Sequence, residues 1–216
     1  MENSTREILR ELMGEFSRLS YIKPEDVPDI PLYMDQITTF METKLSECKR
    51  YPDDKLLTKT MINNYTKNKL IPPPEKKKYS KEHLILLIFV YYLKDFLSIG
   101  DIKSILQPLE STHFQNEDAL PMQEIYRSVF DLINSQTGYM TKDLLHNWEA
   151  AGKTFSTEDS EDADYLRLFA FVCLLSFDVY VKKKMIENVA DALTTASDSA
   201  AKKNAGAKEK HTETPK

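Results

Sequence analysis

Ten consecutive apolar residues, Leu84–Leu93 (LILLIFVYYL), stand near the middle of the chain. A helix made of such a run is apolar on every side, so it has to be enclosed by neighbours rather than laid on a surface. The run is well short of the ~20 residues that a membrane span needs, and so is the other long apolar run, Leu168–Leu175. It predicts a core helix surrounded by others. Ser80 suits its N-cap, although Ser80-Lys81-Glu82-His83 has no acid at the usual capping-box position. An all-α fold agrees with the rest of the sequence. No segment alternates apolar and polar residues for long, which leaves room for little more than a short hairpin. The five glycines, Gly14, Gly100, Gly138, Gly152 and Gly206, form no phosphate-cradling pattern.

Helical spacing recurs on both sides of this run. Thr5–Ser20 carries Ile8, Leu9, Leu12, Phe16 and Leu19 on one face, and Tyr21–Pro31, with three prolines, reads as an extended connector. Leu32–Cys48 is periodic through Met34, Ile37, Phe40, Met41 and Leu45. Leu56–Asn68 follows, capped by Thr58, with Met61, Ile62 and Tyr65 inward. The prolines at 72–74 stop it. Glu75–Tyr79 is a short basic hairpin or loop. Beyond the apolar helix come Ser98–Leu109, ended by Pro108, a polar linker Glu110–Asp118, helices Ala119–Ser135 and Thr141–Ala151 with Thr141 as a cap, an acidic loop, and a long helix Asp164–Leu193. From Thr194 nothing is larger than alanine among the apolar residues, and 194–216 reads as a disordered tail. The domain division is therefore 1–31, 32–109, 118–193 and 194–216.

Charge is distributed unevenly. From Lys49 to Lys81 ten basic residues face three acids, a local balance of +7 that leaves −12 for the remainder of a chain whose net charge is −5. A basic island in an acidic protein is the electrostatic footprint of a phosphate-binding face, and equally that of a solvated lysine-rich surface. The outward side of the Thr58–Lys67 helix offers Thr58, Lys59, Asn63, Asn64 and Lys67. Asparagine can bond adenine bidentately, lysine can meet guanine or phosphate, and threonine can reach a methyl or a phosphate. The loop places Lys76, Lys77 and Lys78 beside that helix, where phosphates or the minor groove would receive them. The bland alternative is a solvated or protein-binding face.

Here the residues resemble a known family. The run from Met61 to Leu106 looks like the N-terminal module of MerR-type regulators, whose pattern is a "TLRYYExxGLIPP" helix and turn, a wing ending in Tyr-Ser, and a "G(L/F)SLxEIKxxL" helix. Tyr65 falls on the second tyrosine, Leu70-Ile71-Pro72-Pro73 on Leu-Ile-Pro-Pro, Tyr79-Ser80 on the end of the wing, and Leu97–Lys103 on the "LSLxEIK" stretch. Asn63 and Asn64 replace the usual arginine and first tyrosine, and Lys69 replaces the glycine before Leu-Ile-Pro-Pro, so a different turn is expected there. Leu32–Leu109 also resembles an uncharacterised family of Firmicute proteins with a domain of unknown function. The first resemblance implies a MerR-like winged helix-turn-helix with a short wing hairpin, plus a C-terminal helical region that handles dimerisation or sensing. It implies a bacterial transcriptional regulator, a homodimer, contacting duplex DNA through Thr58, Lys59, Asn63, Asn64, Tyr65, Lys67, Lys76, Lys77, Lys78 and Tyr79. It names no effector. The alternative is a protein-interaction module that keeps this fold without binding DNA.

Other chemistries find little support in the sequence. The four histidines, His83, His113, His146 and His211, are scattered, and Cys48 and Cys173 lack metal-site spacing, so neither a metal, a cofactor nor an enzyme is expected. Carboxylates gather at Glu158, Asp159, Glu161, Asp162 and Asp164 in what reads as a solvated loop. Two reduced cysteines and the absence of a signal-peptide layout are the grounds for expecting a cytoplasmic protein with no membrane association.

Overall fold

The computed structural model describes residues 7–14, 21–155 and 162–210. Among them lie seven helices: α1 (residues 7–14), α2 (Met34–Lys44), α3 (Lys59–Lys67), α4 (Lys81–Leu93), α5 (Ile99–His113), α6 (Met122–Gly152) and α7 (Ala163–Lys210). One antiparallel pair, β1 (Leu32–Tyr33) with β2 (Lys78–Tyr79), is the whole sheet, in the register Leu32 to Tyr79 and Tyr33 to Lys78. The protein is thus helical, with one minimal sheet.

Helix α4 is the centre. Leu84 through Ile88 and Val90 are at most 2% exposed, enclosed by residues of α2, α3, α5 and α6. Burying each such side chain contributes roughly 1.5–3 kcal/mol, so this one helix organises the body around itself. Its cap uses a residue the sequence reading passes over. Ser80 Oγ accepts from the His83 amide, and His83 Nδ1 accepts from the Ser80 amide at 3.0 Å, so the ring does the work of the missing carboxylate. Helix α5 starts on a full capping box between Ser98 and Asp101.

The structure departs from the expected elements in four places. The connector Tyr21–Pro31 is not a free linker: Ile22 and Val27 belong to the core, the Ile22 amide donates to the Tyr92 hydroxyl at 3.2 Å, and the Tyr126 hydroxyl donates to the Ile22 carbonyl. Helix α5 runs through Pro108 to His113, because packing of its inner face on α7 outweighs the single amide that proline removes. Residues 122–152 form one helix rather than two. Thr141 is not its cap but a mid-helix residue whose hydroxyl donates to the Thr137 carbonyl at 3.0 Å. Helix α7 extends to Lys210, through residues that composition assigns to disorder. An alanine-rich segment needs no burial to continue a helix already nucleated on a packed stem. The remaining residues of the expected tail, 211–216, and half of the expected helix Thr5–Ser20 lie outside the described residues.

Helices α6 and α7 pack on each other, with Trp148 edge-on to Phe171 at 5.1 Å, so the tryptophan is a packing residue. Farther along, α7 returns to the body. Ala190 is buried, Ile186 packs on the core, and the Thr194 hydroxyl meets that of Ser104 on α5 at 2.8 Å. No helix among the described residues is long and apolar enough to cross a membrane.

Candidate nucleic-acid interface

Thr58 starts α3, its Oγ1 accepting from the Met61 amide at 3.2 Å. The helix turns Ile62 and Tyr65 into the core and leaves Lys59, Asn63, Asn64 and Lys67 exposed, with Thr58 half-buried. The Asn63 side chain makes no hydrogen bond among the described residues, while Asn64 is engaged through its Oδ1 by the Asn68 side chain at 2.9 Å. Of the two asparagines, Asn63 has the freer amide.

The turn after α3 corrects one expectation. Lys69 takes φ 57, the left-handed conformation that glycine favours, and so makes the turn that a glycine would make. The Leu70 amide bonds the Tyr65 carbonyl at 2.8 Å and the Lys69 amide bonds the Thr66 carbonyl at 3.0 Å, which is a Schellman motif. After the prolines, the Lys78 amide donates to the Glu75 carbonyl at 2.8 Å, with Lys76 at φ 48 and Lys77 at φ 66 between them. Two left-handed central residues define the tight type I′ hairpin turn, normally made with asparagine and glycine. Three lysines of the basic island therefore occupy conformations that L-residues resist.

Tyr65 and Tyr79, both on the expected contact list, are buried at 5% and 4% exposure, so neither faces a groove. The Tyr79 hydroxyl is hydrogen-bonded to Thr66 of α3, which ties β2 to that helix, and burial pushes both phenols above their ordinary range. His83 sits beneath, 2% exposed, with Tyr79 and Phe114 edge-on at 5.5 and 4.7 Å. Burial pushes its imidazole below the usual histidine value, against the Pro73 and Pro72 carbonyls, which pull it up. A neutral ring protonated on Nε2 fits both contacts, with Nδ1 accepting from the Ser80 amide and Nε2 facing the Pro73 carbonyl at 3.4 Å.

Ion pairs redraw the basic island. Lys49 pairs with Glu42, Lys59 with Asp35 of α2, and Lys81 with Asp29 at 3.1 Å, each acid lying outside the island. Lys78 lies over the Tyr33 ring at 5.2 Å. Arg50, Lys55, Lys67, Lys69, Lys76, Lys77 and Lys78 form no ion pair among the described residues, and five of these seven lie at the end of α3 and in the hairpin. Among those residues there is also no group of three or more His, Cys, Asp or Glu placed to hold a metal ion. Comparison with curated proteins and with solved structures found no match. The model of a family described as a domain of unknown function, DUF1836, matches residues 22–129, a span that opens at the buried connector and closes just beyond Tyr126, and the chain belongs to that family.

Proposed function

We propose that this protein binds duplex DNA as a winged helix-turn-helix regulator of MerR-like type, with α2 and α3 as the helical pair, α3 entering the major groove and the Glu75–Lys78 hairpin serving as the wing. The observation that carries this reading is the set of three lysines, Lys69, Lys76 and Lys77, kept in left-handed backbone and forming no ion pair among the described residues. A lysine stands in a strained conformation where glycine or asparagine would be easier, which points to use of the charge. Two exposed, differently engaged asparagines on α3 supply the groups for reading base edges. Lys76, Lys77 and Lys67 would sit on phosphates, which fix position without reading sequence.

The competing reading, a protein-binding module, is favoured by one observation: Asp35 neutralises Lys59 at the start of α3, where a phosphate would otherwise be expected. The two separate in a binding comparison on mixed-sequence duplex at low salt. Replacing Lys76, Lys77 and Lys78 together with alanine weakens binding by at least tenfold on every sequence, whereas Asn63→Ala alters preference among sequences. Equal affinity of wild type and the triple variant removes the wing from the interface and defeats the proposal.

A further inference from the structure

A cavity of about 490 Å3 opens between the turn that follows α3 and the middle of α5. Lys103, Gln107 and Glu110 line it from α5. At spacings of four and three residues they fall within a stripe roughly 60° wide at 3.6 residues per turn, which is one face of the helix. Lys69 lines it from the turn, its backbone left-handed at φ 57. Ile71, buried at 2% exposure, supplies the apolar part of the lining together with Pro72 and Pro73. The prolines have no amide hydrogen, and their carbonyls are engaged by His83, so they add ring surface rather than polar groups.

The polar heads in this cavity are uncommitted. Lys69, Lys103, Gln107 and Glu110 have no side-chain hydrogen bond or ion pair among the described residues, and Lys103 and Glu110 are half-buried. These two lie two turns apart on α5, about 10.5 Å along its axis, and do not neutralise each other. Thr66, the other polar residue of the lining, already donates its hydroxyl hydrogen to the Ile62 carbonyl at 3.2 Å. A half-buried charge without a partner has lost hydration with no compensating contact. Two such charges of opposite sign in one cavity match a ligand that carries both signs. The volume falls within the range of roughly 300–1,000 Å3 that small-molecule sites occupy.

We propose that this cavity binds a free α-amino acid with an acidic side chain. Two lysines and one glutamate give the lining a net charge of +1, and such a ligand carries the opposite net charge near neutral pH. Its two carboxylates meet Lys69 and Lys103, and its ammonium meets Glu110. The Gln107 amide, between Lys103 and Glu110 on the same face, has both a donor for a carboxylate and an acceptor for the ammonium. The short aliphatic stem lies against Ile71 and the prolines. A bare phosphate fits less well, since it satisfies the lysines and sets a second anion against Glu110. Lys69 belongs also to the proposed DNA contact, but the three α5 residues do not, so the amino-acid site stands or falls separately from DNA binding.

Calorimetric titration of the full chain at low salt, with no DNA present, should show binding of L-glutamate or L-aspartate. The matching dicarboxylate without the ammonium, glutarate or succinate, should bind roughly 10- to 100-fold more weakly, and so should the matching amide, L-glutamine or L-asparagine, because each lacks one charge-assisted contact. Glu110→Gln should remove the advantage of the amino acid over the plain dicarboxylate, and Lys103→Ala should weaken the amino acid by a similar factor. Helix content should be unchanged in both, since neither side chain is fully buried. The ligand series decides the point on the wild-type chain alone, whatever the variants do. No binding of either amino acid at about 10 mM, inorganic phosphate or the plain dicarboxylate binding as tightly, or full affinity in either variant overturns the proposal.

Discussion

Lys69, Lys76 and Lys77 each hold a conformation that costs an L-residue about 1–2 kcal/mol, and the sequence gives no warning of it, because left-handed turns are ordinarily announced by glycine or asparagine. Lys69→Gly should therefore raise stability by about 1 kcal/mol, or about 2–4 °C in Tm, while weakening DNA binding. A variant that gains stability and keeps full affinity would show that the charge has no role there. His83 supplies a second test at this scale. Its folded form favours the neutral ring, so the unfolded chain takes up a proton first as pH falls through the ordinary value of 6.5. Its contribution to stability is complete above that value and is lost below it. Denaturant melts across pH 7.5 to 5 should show this loss in wild type and a smaller one in His83→Gln, which keeps an acceptor for the Ser80 amide without titrating in this range. The exposed contact candidates on α3 are legible from helical period alone. Lys59's pairing with Asp35 is not, since it joins residues that only the packing of α2 and α3 brings together.

At the scale of elements, local signals located the helix starts well and the stops poorly. Thr58, Ser80 and Ser98 all accept from an amide three residues on, which is chemistry internal to one turn. Pro108 and the segment between Ser135 and Thr141 read as breaks yet lie inside helices, because the faces that override them are set by distant partners, α7 for α5 and α7 again for α6. Gly138 is mid-helix and an added Cβ there meets nothing within 4 Å. Gly138→Ala should accordingly raise stability by about 1 kcal/mol. A thermal melt showing no gain, or a loss, would mean that α6 is interrupted there and that the two-helix reading of this segment is the better one.

For the whole molecule, the all-helical class and the central place of Leu84–Leu93 were readable because a run apolar on every side has few other fates. The return of α7 onto α5, which makes the body depend on residues far down the chain, was not, since it rests on single contacts such as Ala190 and Thr194 rather than on a long apolar pattern. The proposed DNA contact belongs to this scale too: the chain outside the basic island carries a net −12, so the contact rests on α3 and the hairpin. Its most direct test is the affinity for a duplex measured from about 50 to 200 mM salt. With Lys67, Lys69, Lys76 and Lys77 on phosphates, log K should fall with log salt at a slope of about −3 to −4 per copy. Affinity that is absent at low salt, or present with a slope near zero, contradicts the account.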